Sequence, residues 1–272
     1  MGDASSILGW MSLACWIVVY SPQFIENYQL QSGEGLSIAF ILIWLVGDLT
    51  NLLGALLAGL LPTVTFVALY YSLCDILLLA QIYYYRWKAA ARLEKEEVAG
   101  GSAETTGLLA GSSSDEEVRV KTAAENARGQ MLRNAICVLF VIGTGVAAWY
   151  FGPNKAKTPT EDGPMDLTSQ ILGYISMLLY LSSRIPQIFK NRETKCTGLS
   201  PVFFAFAMTG NITYVLSICS ASMDKHYLLV NASWLAGSIG TILLDIYVLY
   251  QFIHYRAERI SRERSAEIAV VA

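Results

Sequence analysis

Charge is scarce in this chain, and its scarcity excludes a good deal. Only 15% of the 272 residues are Asp, Glu, Lys or Arg, against about 25% in a soluble domain. There are two histidines, His226 and His254, and neither lies at the centre of an apolar stretch. No His-Glu-x-x-His string and no nucleophile elbow occurs, so zinc-protease and serine-hydrolase chemistry has no motif to stand on. The five cysteines (Cys15, Cys74, Cys137, Cys196, Cys219) have no spacing that suits a metal site or a disulfide framework, and read as small buried hydrophobes. The last apolar stretch, 229–253, has no lysine, which excludes a retinal protein. The first stretch lacks the basic leader and cleavage site of a signal peptide and is expected to remain in place. No enzyme activity, metal, cofactor or nucleic-acid partner is expected.

What the chain has is long apolar blocks, each near the ~20 residues that cross a bilayer. They predict an all-α integral membrane protein with seven spans, at about 6–26, 36–57, 63–86, 132–151, 168–189, 199–220 and 229–253. Lys and Arg gather on one side of these spans. Segment 86–133 holds Arg86, Lys88, Arg92, Lys95, Arg119, Lys121, Arg128 and Arg133; the turn after the fifth span holds Lys190, Arg192 and Lys195; the tail holds Arg256, Arg259, Arg262 and Arg264. The other side has only Lys155, Lys157 and Lys225. The positive-inside rule then puts the long loop and the C-terminus in the cytosol and the N-terminus in the lumen or outside.

Two strings half a chain apart organise the rest: Ser21-Pro22-Gln23-Phe24 and Ile185-Pro186-Gln187-Ile188. Each closes an apolar stretch and is followed by a polar turn, then Gly-Leu-Ser (Gly35–Ser37, Gly198–Ser200), then another apolar stretch. A proline there frees the carbonyl four residues back, that of Val18 or Ser182, and reads as a hinge. Gly47-Asp48-Leu49-Thr50 answers Gly210-Asn211-Ile212-Thr213, and Asp75…Gln81 answers Asp245…Gln251. Spans one to three thus match spans five to seven. The extra fourth span restores orientation, so the repeats are parallel. The expected units are a first three-helix repeat at 1–87, a cytosolic loop at 88–130, a linker span with a lumenal loop at 131–166, a second three-helix repeat at 167–256, and a cytosolic tail at 257–272.

Segment 88–130 is rich in Ala, Glu, Gly, Ser and Thr and is expected to be disordered. Within it, Glu104 precedes Leu108-Leu109, a pattern that resembles the acidic dileucine signal read by sorting adaptors.

Ionisable groups within hydrocarbon are costly and by default functional. Asp48 lies about halfway along the second span, and its repeat partner is the neutral Asn211, so the two halves differ at the depth where a substrate sits. Asp48 can be the counter-charge to a cation or a proton carrier; the structural alternative is a carboxyl hydrogen-bonded to a neighbouring helix. Asp75 and Asp245 occupy matching places and suit a shared structural or gating role, with proton coupling as a further candidate. Arg184 either snorkels to the interface or contacts a gate beside Pro186. Trp44 shares a helix face with Asp48 and offers either a cation–π wall or lipid packing.

The two Pro-Gln motifs, the parallel repeat and the seven spans resemble the PQ-loop family, which includes the SWEET sugar transporters and cystinosin. The strings Ser21-Pro22-Gln23, Gly47–Asn51, Arg184-Ile185-Pro186-Gln187, Gly210-Asn211 and Trp234–Ser238 look most like the lysosomal and vacuolar cationic amino acid exporters of that family. The likeness implies proton-coupled export of arginine, lysine or histidine to the cytosol by alternating access, from a vacuolar or lysosomal membrane. It implies hinge and gate roles for Pro22, Gln23, Pro186 and Gln187, and a central site lined by Asp48 and Asn211, with Trp44, Asn51 and Tyr214 as further substrate-binding candidates. A carrier of sugar or cystine on the same fold, and a nutrient-sensing receptor that recruits cytosolic partners, are the alternatives.

Overall fold

A computed structural model of the chain describes residues 4–57, 62–100, 113–151 and 167–261, and Ser265. The described residues form helices α1 (Ala4–Val18), α2 (Ser21–Leu30), α3 (Ile38–Leu57), α4 (Pro62–Gly100), α5 (Ser113–Phe151), α6 (Leu167–Thr194), α7 (Pro201–Ala221), α8 (Lys225–Val230) and α9 (Ala232–His254). Among the described residues the protein is all-helical, and its outside is apolar. Leu53, Leu77, Leu139, Leu178 and Leu243 are all exposed, while Gln23, Gln187, Asn191, Arg184 and Asp245 are fully buried. This inversion of the soluble pattern is what a lipid solvent selects, because backbone and side-chain polar groups must be satisfied internally.

Among the described residues, five stretches are long and apolar enough to cross a membrane: Ala4–Leu30, Val67–Arg92, Arg128–Phe151, Pro201–Ala221 and Ala232–His254. The sequence predicts two more, at α3 and α6. In α6 the reason for the shortfall is visible. Ser176, Ser183, Arg184, Gln187 and Asn191 are buried on one face, which lowers the helix's hydropathy, while Ile171, Leu178, Ile185 and Phe189 are exposed on the other.

The two prolines act differently. Pro22 lies in the first turn of α2, after a break at Val19–Tyr20, and the Tyr20 carbonyl there accepts from both Gln23 N and Phe24 N. Pro186 lies inside a continuous α6. In the turn ahead of it, the Ser182 and Ser183 hydroxyls donate to the carbonyls of Leu179 and Tyr180, and Arg184 Nη1 also donates to Tyr180. Side chains thus add hydrogen bonds in the turn ahead of the proline, and none of these three reaches the Ser182 carbonyl that Pro186 leaves free.

The disordered segment expected at 88–130 needs correction. Helix α4 runs on to Gly100 and α5 begins at Ser113, so both flanks are helical. Ala, Glu, Lys and Arg are strong helix formers, and propensity prevails there over a composition unable to bury a core. The Glu104, Leu108 and Leu109 motif lies outside the described residues.

Helix α1 packs on α7 and α5, α3 on α6 and α4, and α9 on α6 and α7. The two Gly-Leu-Ser turns meet back to back. A Cβ on Gly35 would lie 1.8 Å from the Gly198 carbonyl oxygen, and Gly198 itself adopts φ +73°. Gly35→Ala therefore has no room without separating the turns. We expect a loss of ~3 kcal/mol, the upper range for overpacking, read as a lowered melting temperature in detergent. An unchanged melting temperature would show that the turns are not held together.

Candidate functional site

The Pro-Gln glutamines clamp the two halves together, each gripping the turn of the opposite half. Gln23 Nε2 donates to the Gly198 carbonyl at 3.0 Å, and its Oε1 accepts from Ser200 N at 2.9 Å. Gln187 Nε2 donates to the Gly35 carbonyl at 3.0 Å, and its Oε1 accepts from Ser37 N at 2.7 Å. Each glutamine also donates to the residue four on, Asn27 or Asn191, at 2.8 Å. Those asparagines donate to Gln81 and Gln251 at 3.0 Å. Gln81 and Gln251 donate in turn to the carbonyls of Phe24 and Ile188. Ser200 and Ser37 immediately precede helices, where backbone N–H groups lack intrahelical partners, so the clamps satisfy donors that would otherwise be orphaned. On the rim, Glu34 accepts from Arg86 at 2.9 Å and lies 3.6 Å from Lys190, tying the halves a third time.

Above the clamps lies an apolar plug. Leu36, Phe40, Ile41, Leu199, Phe203 and Phe204 are fully or almost fully buried. Tyr20 stacks on Trp44 at 5.7 Å between ring centres, and Trp44 meets Phe40 at 5.1 Å and Phe203 at 5.5 Å.

Beyond the plug a cavity of about 440 Å³ opens away from the Pro-Gln ends. It begins near Gly9 on α1 and Leu172 on α6 and ends at Tyr20 and Arg184, short of both prolines. Its volume suits a small organic solute. Asp48, Asn211, Trp44, Asn51 and Tyr214 all line it, as does Arg184. Pro22, Gln23, Pro186 and Gln187 do not; the two glutamines belong to the clamps below.

Asp48 is 3% exposed. Its Oδ1 accepts from the Tyr180 hydroxyl at 2.6 Å, and Asn51 Nδ2 donates to the same hydroxyl. Its Oδ2 has no hydrogen-bond partner of good geometry among the described residues, and Asp75 lies beside it. Asn211 instead turns its amide to its own helix, donating to the Ala207 carbonyl at 3.0 Å. The asymmetry between Asp48 and Asn211 thus extends to their surroundings.

Asp75 and Asp245, placed alike by the sequence, differ chemically. Asp245 Oδ1 accepts from Arg184 Nε at 3.2 Å, with both residues buried. Asp75 is fully buried beside Asp48 and the Tyr20 hydroxyl, yet neither oxygen accepts a hydrogen bond of good geometry. Counting back from the prolines, Tyr20 stands where Arg184 stands in the other half, so only one acid receives a cation. Arg184 also lies over the Trp44 ring at 4.8 Å. Trp44 is therefore a cation–π wall inside the core, and its partner here is the protein's own guanidinium rather than lipid or solute.

Sequence reasoning missed Tyr180, which positions Asp48, and the cavity-lining Ser176 and Ser233, whose buried hydroxyls lack partners among the described residues. No periodic signal marks them. It also missed Asn27 and Asn191, although both stand four residues after a Pro-Gln glutamine.

Residues 4–64 and 168–226 match the family model described as the PQ loop repeat. The chain is 35% identical to the vacuolar lysine transporter of Saccharomyces cerevisiae, over 94% of each chain. It is 33% identical to that organism's vacuolar arginine/histidine antiporter, over 97% of this chain and 89% of the relative. It is 32% identical to the lysosomal amino acid transporter 1 homolog of Homo sapiens, over 96% of this chain and 86% of the relative.

Proposed function

Because the chain belongs to the PQ-loop repeat family, we propose that it carries arginine, lysine and histidine from a vacuolar or lysosomal lumen to the cytosol. It is a multi-pass membrane transporter. The finer reading has seven crossings, with α1–α4 and α6–α9 as parallel repeats joined by α5; the matched hydrogen bonds of Gln23 and Gln187 support it. The Lys and Arg distribution favours a lumenal N-terminus and a cytosolic C-terminus. The Pro-Gln seal then faces the cytosol, and the cavity faces the lumen.

The observation that carries the proposal is Asp48. It is the one acidic side chain lining the cavity among the described residues, and one of its oxygens is unpaired. A buried carboxylate without a full set of donors is costly to keep, and a cationic solute supplies the missing charge and donors. Release to the cytosol requires the two clamps to part and the lumenal side to close. Asp48 and Asp75, side by side and unequally partnered, are the proton-carrying candidates; Asp245, committed to Arg184, is the weaker one. Sorting through Glu104 and Leu108-Leu109 by an adaptor belongs to the same reading.

Uptake into proteoliposomes tests it. Labelled arginine, lysine and histidine are expected to enter, and cystine and glucose are not. Glucose or cystine uptake without arginine uptake would overturn the cationic assignment.

A further inference from the structure

Arg184 is the one basic side chain lining the cavity among the described residues, as Asp48 is the one acidic side chain. Its obvious task is to neutralise Asp245, but the geometry does not exhaust it there. An arginine dedicated to a carboxylate usually engages both oxygens through two parallel N–H groups. Here Nε alone reaches Asp245 Oδ1, at 3.2 Å, and Asp245 Oδ2 has no partner among the described residues. Nη1 donates to the Ser183 hydroxyl at 3.1 Å and to the Tyr180 carbonyl at 3.4 Å. Nη2 makes no described hydrogen bond. The guanidinium lies over Trp44, which holds its plane at the cavity floor and leaves its edge available.

One residue fixes the distance between the two poles. The Tyr180 carbonyl accepts from Arg184, and the Tyr180 hydroxyl donates to Asp48. The floor of the cavity is thus bipolar, with a guanidinium and a carboxylate separated by roughly the length of a tyrosine. A cationic amino acid is bipolar too, with a carboxylate at one end and a charged group at the end of a flexible stem.

Resting on the transport reading above, we propose that Arg184 binds the α-carboxylate of the substrate through Nη2 while Asp48 binds its cationic end. Arg184 then makes the site selective for amino acids over amines of equal reach, a role its pairing with Asp245 does not require.

The test compares arginine with argininamide, in which the carboxylate becomes an uncharged amide, as competitors for labelled arginine on the full-length protein in proteoliposomes. The wild type is expected to prefer arginine by at least ~10-fold, the strength of a charge-assisted hydrogen bond. Arg184→Gln alone leaves Asp245 buried without its cation and is at risk of misfolding. The double variant Arg184→Gln/Asp245→Asn removes both charges together and keeps the pair hydrogen-bonded. With labelled argininamide as the tracer for this variant, the preference for arginine is expected to fall within ~2-fold of unity while argininamide still binds. A wild-type preference retained by the double variant would overturn the proposal, as would equal loss of both ligands. A wild type that takes neither ligand fails the transport reading itself, and this inference falls with it. A wild type that takes both equally overturns the role of Arg184 alone.

Discussion

Asp48→Asn is expected to reduce arginine and lysine transport by at least ~100-fold and to leave the protein folded. The substitution is nearly isosteric. The Tyr180 hydroxyl, 2.6 Å from Oδ1, donates to an asparagine carbonyl as well as to a carboxylate, so the local network survives. What is lost is the negative charge facing the cavity. Removing one partner of a desolvated charge pair costs about 2–5 kcal/mol, and each 1.4 kcal/mol is tenfold in binding. Asp75 does not line the cavity and does not replace Asp48. Initial uptake rates, alongside size-exclusion profiles that establish folding, decide the matter. Arginine transport within twofold of wild type would remove Asp48 from the site.

The second large effect concerns the seal. Gln23→Ala with Gln187→Ala removes the cross-repeat bonds to Gly198, Ser200, Gly35 and Ser37 together. At a net ~1 kcal/mol per bond, each clamp contributes on the order of 2 kcal/mol, or ~30-fold in the ratio of sealed to unsealed protein. Cys196 reports the change. It is fully buried in the turn that Gln23 grips, so parting the turns exposes it. In a background with the other four cysteines replaced, thiol modification of Cys196 should accelerate at least ~10-fold in the double variant. An unchanged rate would mean that the plug of Leu36, Leu199, Phe203 and Phe204 holds the seal without the glutamines.

The seal could be foreseen from the sequence as a duplication, because Pro-Gln, Gly-Leu-Ser and the Asp…Gln motif recur at nearly constant spacing. The crossing of the clamps could not: Gln23 and Ser200 are 177 positions apart, and only packing brings them together. Asp48 and Asn211 were legible as a break in the repeat, and both line the cavity. The equivalence of Asp75 and Asp245 misled, since the cause of their difference lies elsewhere, at Tyr20 and Arg184. That substitution is visible in the sequence, but what it faces is a tertiary fact. Tyr180 had no signal at all, because a tyrosine in an apolar helix reads as packing. The helical flanks of 88–130 follow from local propensity, which the composition of the whole segment masked.

The most direct measurement of the central claim is arginine counterflow: uptake of labelled arginine into proteoliposomes loaded with unlabelled arginine, set beside the Asp48→Asn protein. A carrier that presents one Asp48-lined cavity to each face in turn predicts uptake accelerated by internal arginine in the wild type and none in the variant. Absence of accelerated uptake in the wild type, or its persistence in the variant, would contradict the account.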